Sequence, residues 1–479
     1  MSNDLWGQAF DSLGISSGAH PDRLAKWLKS ADSSRKGVRL GVIGTSLVQQ
    51  NDAATSAKIG HWNRGWLSWA RYFSKGRFWC EIWHDPNVYV GWEPSQVQGA
   101  TRNFVGLNAG VSGQTSALIE ARKEFLVDSV KCDIIIVDSG TNDMSPLTKE
   151  SIQEYRESLA NYYTSRGVVV IFLPILSRGT NSWTSNSAER DKAAWINQRT
   201  RAFCNATKNC HLFDWNGTWV DFSASDGTPR TGFSNDGIHF APPGGVAVGE
   251  ALATFLSKLL PDPCPRVWSP DDNYNATNNP LGNLLTNPFC TGTSGAVGTQ
   301  TTGSVATGMR VEVSTGAATI ACTKEARADG RGEYQVLTCT PGATDTLAYF
   351  RTSSADTPHS FPAGTWVQAS VEVDIGSFNG WQGVSLYLKD NGTNGLIAYD
   401  HEPFDDGAGY IKLPTRSLGD GMLLTPPIQI VNGSTTLRWR VEVRIGSTGG
   451  GASGTGVVKI GAVELRAVED PRNIAAYRA

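Results

Sequence analysis

Val42-Ile43-Gly44-Thr45-Ser46-Leu47 closes an apolar run that begins at Val38. A short apolar, β-branched run of this kind reads as a buried strand. The small Gly44 lets the backbone turn sharply at its end, and the strand fixes where Ser46 stands. A sheet enzyme presents a serine nucleophile in this way. One such serine is a weak signal on its own, and its meaning depends on what the rest of the chain places beside it.

Working outward, the chain alternates strand and helix. Residues 38–43, 104–108, 133–138, 168–173 and 211–214 read as strands, and 115–126, 151–165, 188–206 and 244–259 as helices. Short apolar runs between helices indicate an α/β fold with a parallel sheet covered on both faces. Three further loops carry polar residues just where such strands or helices begin or end. Asp236-Gly237-Ile238-His239 supplies a histidine base and a carboxylate three residues earlier that can orient it. Gly140-Thr141-Asn142-Asp143 follows the strand 133–138, and Asn142 there is either an oxyanion donor or a turn and cap residue. Asn108-Ala109-Gly110-Val111-Ser112-Gly113 precedes a helix, with a glycine whose N–H can approach a substrate closely. A serine needs both a base and oxyanion donors to attack an ester.

Taken in order, Gly44-Thr45-Ser46-Leu47, Asn108-x-Gly110-x-x-Gly113, Gly140-Thr141-Asn142-Asp143 and Asp236-Gly237-Ile238-His239 resemble the four blocks of the SGNH (GDSL-type) hydrolase family. The resemblance covers about residues 38–260. It implies a three-layer flavodoxin-like domain that hydrolyses esters through an acyl-enzyme. By resemblance Ser46 is the nucleophile, His239 the general base and then acid, and Asp236 its orienter. The resemblance likewise implies an oxyanion hole of the Ser46 N–H, the Gly113 N–H and the Asn142 side chain. Gly113 is preferred to Gly110 because the family's glycine usually precedes a pair like Gln114-Thr115. Thr45 stands where the family often has Asp, which leaves the triad untouched.

The segment between the first two blocks is long and holds six tryptophans, 62, 66, 69, 79, 83 and 92. Trp62, Trp66 and Trp69 have the spacing of one helical face, so core packing of an inserted helix is the favoured account. Trp62, Trp83 and Trp92 are candidates for stacking on sugar rings. His61 and His84 read as ordinary loop residues. No cluster of metal-ligand spacing is visible, and serine chemistry calls for no cofactor.

Residues 1–35, with Leu24, Trp27 and Leu28 on one helical face, read as a leader or attachment segment. The hydrolase domain is expected over 36–260 and a proline-rich linker over 261–282. Residues 283–479 read as an antiparallel β-sandwich, because stretches such as 437–445 alternate apolar and charged residues. The opening Asn283-Leu284-Leu285-Thr286-Asn287-Pro288-Phe289 is similar to the start of many jelly-roll carbohydrate-binding modules. An acylated carbohydrate or polysaccharide, most of all an O-acetyl ester, is therefore the expected substrate. A homo-oligomer contact or virion attachment is a further role for the sandwich.

The 479 residues carry a net charge of −3, and no basic block stands out, so neither nucleic acid nor an anionic membrane is an expected partner. The N-terminus lacks a signal-peptide pattern, and no run approaches the roughly 20 apolar residues of a membrane span. The expectation is a polypeptide made in the cytoplasm, by analogy a phage tail protein that deacetylates surface polysaccharide. The eight cysteines, without a C-x-x-C pair, read as buried thiols, although Cys204 and Cys210 are spaced to bridge a helix end to the next strand. Two other readings compete: a glycan-binding virion adhesin on an inactive SGNH scaffold, and a lipase or thioesterase acting on longer acyl chains.

Overall fold

A computed structural model describes residues 38–54, 57–84, 104–180, 182–184 and 187–472. The expected leader segment and Trp92 lie outside the described residues. Residues 38–50 and 77–262 form one compact unit, and 51–76 and 263–471 a second.

The first unit is built on an all-parallel sheet of β1 (Val38–Gly44), β2 (Phe78–Trp79), β3 (Asn108–Gly110), β4 (Ile134–Val137), β5 (Val169–Phe172) and β6 (Cys210–Leu212). The order is β6-β5-β4-β1-β2. β2 pairs only with Val38 and Arg39, and β3 takes over beside Val42, Ile43 and Gly44. Through β3 the order is that of flavodoxin-like folds, whose crevice opens at the C-terminal ends of the strands where the order reverses, here β1 and β4. β4 shows why these strands form: Ile134, Ile135, Ile136 and Val137 are all buried, as a strand covered on both faces requires. Each fully buried aliphatic side chain contributes about 1.5–3 kcal/mol.

The helices that position the site are α1 (Ser46–Gln49), α2 (Ser116–Glu120), α3 (Lys149–Thr164), α4 (Ala188–Ala206) and α5 (Pro242–Leu256). Thr148 caps α3 by accepting the Ser151 N–H, and α3 buries Ile152, Leu159, Ala160 and Tyr163. The helix expected over 115–126 stops at Glu120, and a π-helical turn follows at Phe125–Ser129. The wider turn lets the consecutive Phe125, Leu126 and Val127 all be buried, which one face of an α-helix does not allow.

The second unit is mostly strand, in a nine-stranded and a seven-stranded sheet. Within Thr436–Ile445 the alternate residues Leu437, Trp439, Val441, Val443 and Ile445 are fully buried. The sheets are mixed rather than purely antiparallel. Short strands Ser294–Val297 and Thr301–Gly303 lie parallel to Val305–Thr315 and Thr319–Ala326. Lys58–Trp62 lies parallel to Ile397–Glu402.

That last pairing places the segment 51–76 differently from the sequence expectation. An inserted helix is present, Trp66–Phe73, but Trp66 and Trp69 are buried in the second unit rather than in a domain spanning 36–260. The strand Lys58–Trp62 satisfies the open backbone edge of Ile397–Glu402, a stronger pull than sequence proximity. The Tyr72 hydroxyl donates to the Gly419 carbonyl at 2.8 Å. His61 is no loop residue: it is buried, with Nδ1 2.5 Å from Asp52 and Nε2 3.2 Å from Arg71. His84 ends the strand Ile82–His84.

The expected linker is tied down from residue 263 onward. Arg266 Nε donates to Glu464 at 2.6 Å, and Arg466 Nη2 to Asp272 at 2.9 Å. The motif at 283–289 belongs to the framework. Asn283 is buried, donates to the Val463 carbonyl at 2.9 Å and accepts from the Leu285 and Leu465 amides. Asn287 donates to the Thr291 and Thr307 carbonyls at 2.8 Å. Seven cysteines are buried and Cys264 is exposed; the Cys204 and Cys210 sulfurs are free thiols 3.3 Å apart.

Candidate active site

Ser46 is the first residue of α1, directly past the end of β1, and is 8% exposed. Gly44 is required by packing as well as by the turn, because a Cβ there would stand 2.7 Å from the Asp138 carbonyl on β4's exit. Thr45 caps the short helix, its hydroxyl accepting the Leu47 N–H at 3.4 Å. The same hydroxyl donates to Asp138 at 2.5 Å, and the Thr45 amide donates to the same oxygen at 3.2 Å. Burial pushes the Asp138 carboxyl up, while these two hydrogen bonds work against the rise. Asp138 thus ties the serine turn of β1 to the end of β4. Sequence reasoning passed over it, although an acidic residue directly ending a buried apolar strand was the available signal.

The loop before α5 brings up the other two side chains. His239 Nε2 is 3.0 Å from Ser46 Oγ, across 193 residues of sequence. His239 Nδ1 is 2.6 Å from Asp236 Oδ2. The other Asp236 oxygen accepts the Ile238 and His239 amides at 2.8 Å each and the Ser234 hydroxyl at 3.1 Å. Partial burial pushes Asp236 up, but the His239 amide, its ring and the Ile238 amide outweigh it and hold the carboxyl down to about 2. It is therefore an ionised acceptor at neutral pH. The loop is closed on itself where the Ala241 amide donates to the Phe233 carbonyl at 2.8 Å, and α5 follows at once on Pro242. The side chains of Asp236 and His239 are 52% and 28% exposed.

N–H donors are offered by the start of α1 and by two loops. The Ser46 amide, at the start of α1, donates to no described residue. Asn142 Nδ2 gives one hydrogen to the Gln114 carbonyl at 3.0 Å, which holds its amide beside the Gly113-Gln114 turn and leaves the second hydrogen without an acceptor among the described residues. Gly113 is exposed with φ +77°, and its amide has no acceptor among the described residues. Gly110 has another task. Its amide donates to Asn108 Oδ1 at 2.9 Å, and a Cβ there would stand 2.3 Å from the Gln49 nitrogen, so it lets β3 press against α1. Gln49 reaches back to accept the Ser112 amide at 2.5 Å.

Two buried residues brace this frame. Arg122 donates to Gln114 at 2.6 Å and to the Gly44 carbonyl at 3.0 Å. Asp143 accepts the amide and hydroxyl of Ser116 at 2.9 Å, capping α2. Burial pushes its carboxyl up against those bonds.

Of the tryptophans named for sugar stacking, Trp83 is buried away from solvent. Trp83 is 2% exposed and lies parallel to Trp79, with centroids 6.2 Å apart, so it is a core residue. Trp62 lies in the second unit, edge-on to Phe404 at 5.8 Å. Among the described residues no group of three or more His, Cys, Asp or Glu is placed to hold a metal ion.

A serine hydroxyl against an imidazole, itself against a carboxylate, with uncommitted N–H groups around, can open an ester by nucleophilic attack. Residues 42–245 match the model of the GDSL-like lipase/acylhydrolase family. No curated protein matches the chain. Among solved structures it is similar to a GDSL-like lipase from Bacteroides thetaiotaomicron, at 16% identity over 50% of this chain and 96% of that one, TM-score 0.32. It is also similar to a lipase/acylhydrolase from Enterococcus faecalis, at 15% identity over 47% of this chain and 98% of that one, TM-score 0.32. A carbohydrate esterase family 3 protein from Talaromyces cellulolyticus gives 18% identity over 46% of this chain and 97% of that one, TM-score 0.32. The chain thus carries, over residues 42–245, a domain of the GDSL-like lipase/acylhydrolase (SGNH) family.

Proposed function

We propose that this domain hydrolyses O-acetyl esters of a polysaccharide through an acyl-enzyme. The observation that carries the chemistry is the unbroken chain from Asp236 to His239 to Ser46, at 2.6 and 3.0 Å. His239 takes the hydroxyl proton as Ser46 Oγ attacks the ester carbonyl. The oxyanion that forms is met by the Ser46 and Gly113 amides and the second hydrogen of Asn142 Nδ2. Collapse of this intermediate releases the sugar alcohol, which takes the proton from His239. Water, deprotonated by the same imidazole, then frees acetate and restores the serine. Asp236 holds the ring so that Nε2 faces Ser46 and stabilises the imidazolium.

The polysaccharide part of the proposal is supported by the β-sandwich unit and its likeness to carbohydrate-binding modules. By analogy, the same fusion supports a place in a phage virion that acts on surface glycan. The test is acetate release from acetylated polysaccharides, run beside a chain-length series of model esters. Acetyl should be preferred to longer chains. Ser46→Ala should abolish hydrolysis with an unchanged melting temperature, and undiminished turnover in that variant would defeat the assignment.

A further inference from the structure

We propose that Arg178 binds an anionic group on the substrate, so that the ester cleaved sits on an acidic saccharide, its anion a carboxylate or a phosphate. The inference rests on the esterase reading above and deepens it.

Arg178 stands on the loop after β5, at the same edge of the sheet as Ser46 and Asn142. Its Nη2 donates to the Thr141 hydroxyl at 2.6 Å and weakly to the Thr141 carbonyl at 3.4 Å, one residue from Asn142. No carboxylate lies within ion-pair distance of it among the described residues, and its Nε is buried without an acceptor. The charges it senses are Asp138 and Asp236, the carboxylates behind Thr45 and His239. The guanidinium lies 5.0 Å from the Trp183 ring, which stiffens it.

The backbone that carries it is clamped. Ser177 donates to Asn216 at 2.8 Å, and the Trp219 indole donates to the Ser177 carbonyl at 3.0 Å. Thr180 donates to Asp226 at 2.8 Å. Gly227 packs so tightly that a Cβ there would stand 1.9 Å from Ser177 Oγ. A half-buried guanidinium without an anion is costly in free energy, and one held rigidly beside a catalytic constellation gains its partner when a ligand brings one. Its planar fork suits the paired oxygens of a carboxylate or phosphate. The competing structural role is a prop for the Thr141 turn, which would change turnover of every ester alike.

The experiment compares three acetyl esters on the full chain: an acetylated neutral hexoside, an acetylated hexuronide and an acetylated hexose phosphate. The wild type should favour an acidic ester in kcat/KM by about 10- to 100-fold, the range of a hydrogen bond to a charged group. That preference should shrink as salt rises, while the neutral ester responds little. Arg178→Gln should collapse the preference through KM of the acidic ester. Arg178→Lys, keeping the charge but not the fork, should retain part of it. Either acid showing this dependence supports the subsite, and the larger effect names the group. No acidic preference in the wild type, or equal losses on neutral and acidic esters in folded variants, would overturn the inference while leaving the esterase assignment standing. No turnover of any ester by the wild type would overturn both.

Discussion

Asp236→Asn separates the orienting carboxylate from an ordinary loop acceptor. In the native loop Oδ1 accepts the Ile238 and His239 amides at 2.8 Å, and Oδ2 faces the imidazole Nδ1 at 2.6 Å. The carboxyl, held down to about 2, only accepts, so the ring hydrogen stays on Nδ1 and Nε2 is free to take the Ser46 proton. In the asparagine variant the amide oxygen keeps the two backbone donors, and the NH2 group turns to the ring. It donates to Nδ1, which drives the ring hydrogen onto Nε2, aimed at Ser46 Oγ. The base is blocked by the wrong tautomer. A loss of about 10⁴-fold in kcat is expected, equivalent to about 5 kcal/mol of transition-state stabilisation. KM should move by less than about threefold, since Asp236 touches no substrate. The backbone hydrogen bonds survive, so the loss in stability should stay near about 1 kcal/mol. Initial rates on a small acetyl ester, with a thermal melt of the same preparation, measure both. A folded variant with more than about a tenth of the wild-type kcat would refute the reasoning. Asp236 would then be the solvent-exposed loop residue that its 52% exposure taken alone describes.

Asn142→Ala removes one proposed oxyanion donor and should lower kcat about 10²- to 10³-fold, with a smaller cost in stability from the lost bond to Gln114; a change confined to KM would argue against that role. Glu464 tests the second unit. Burial pushes it up, but Arg266, Arg466 and the Ser370 hydroxyl hold it down to about 2, against an ordinary 4.5. A folded-state pKa below the unfolded one gives stability that is complete above pH 4.5 and drains as pH falls toward 2. That gap is worth about 3 kcal/mol. Calorimetry from neutral pH downward should show Tm falling in this window. Glu464→Gln should melt lower at pH 7 and lose part of the fall; a slope as steep as that of the wild type would sink the attribution.

Much of the site was legible because its residues sit on short loops bound to apolar strands. Ile134–Val137 announces a buried strand by composition alone, and Asn142 follows it within a few residues. Asp236 and His239 are near neighbours whose hydrogen bonds are local. Arg178 was not legible, since it acts through Thr141, 37 residues away; Asp138 carried a signal as the acid ending an apolar strand, but its partner Thr45, 93 residues away, was not readable. The assignment of Trp83 failed for a related reason. An indole that stacks on a sugar and one that packs in a core look the same in sequence, and Trp83 lies in the core against Trp79.

By itself the sequence determined the α/β alternation, the run of β strands after it and the four polar loops in their order. These follow from periodicity and turn chemistry, which act over a few residues. Only the tertiary structure decided that Ser46 and His239, 193 residues apart, come within 3.0 Å. It also decided that 51–76 completes a sheet edge of the second unit, and that Arg178 stands beside Thr141 with no carboxylate in ion-pair range among the described residues. Backbone edges and buried charges are satisfied by whatever the fold brings near, and nearness in space is what a linear pattern does not contain.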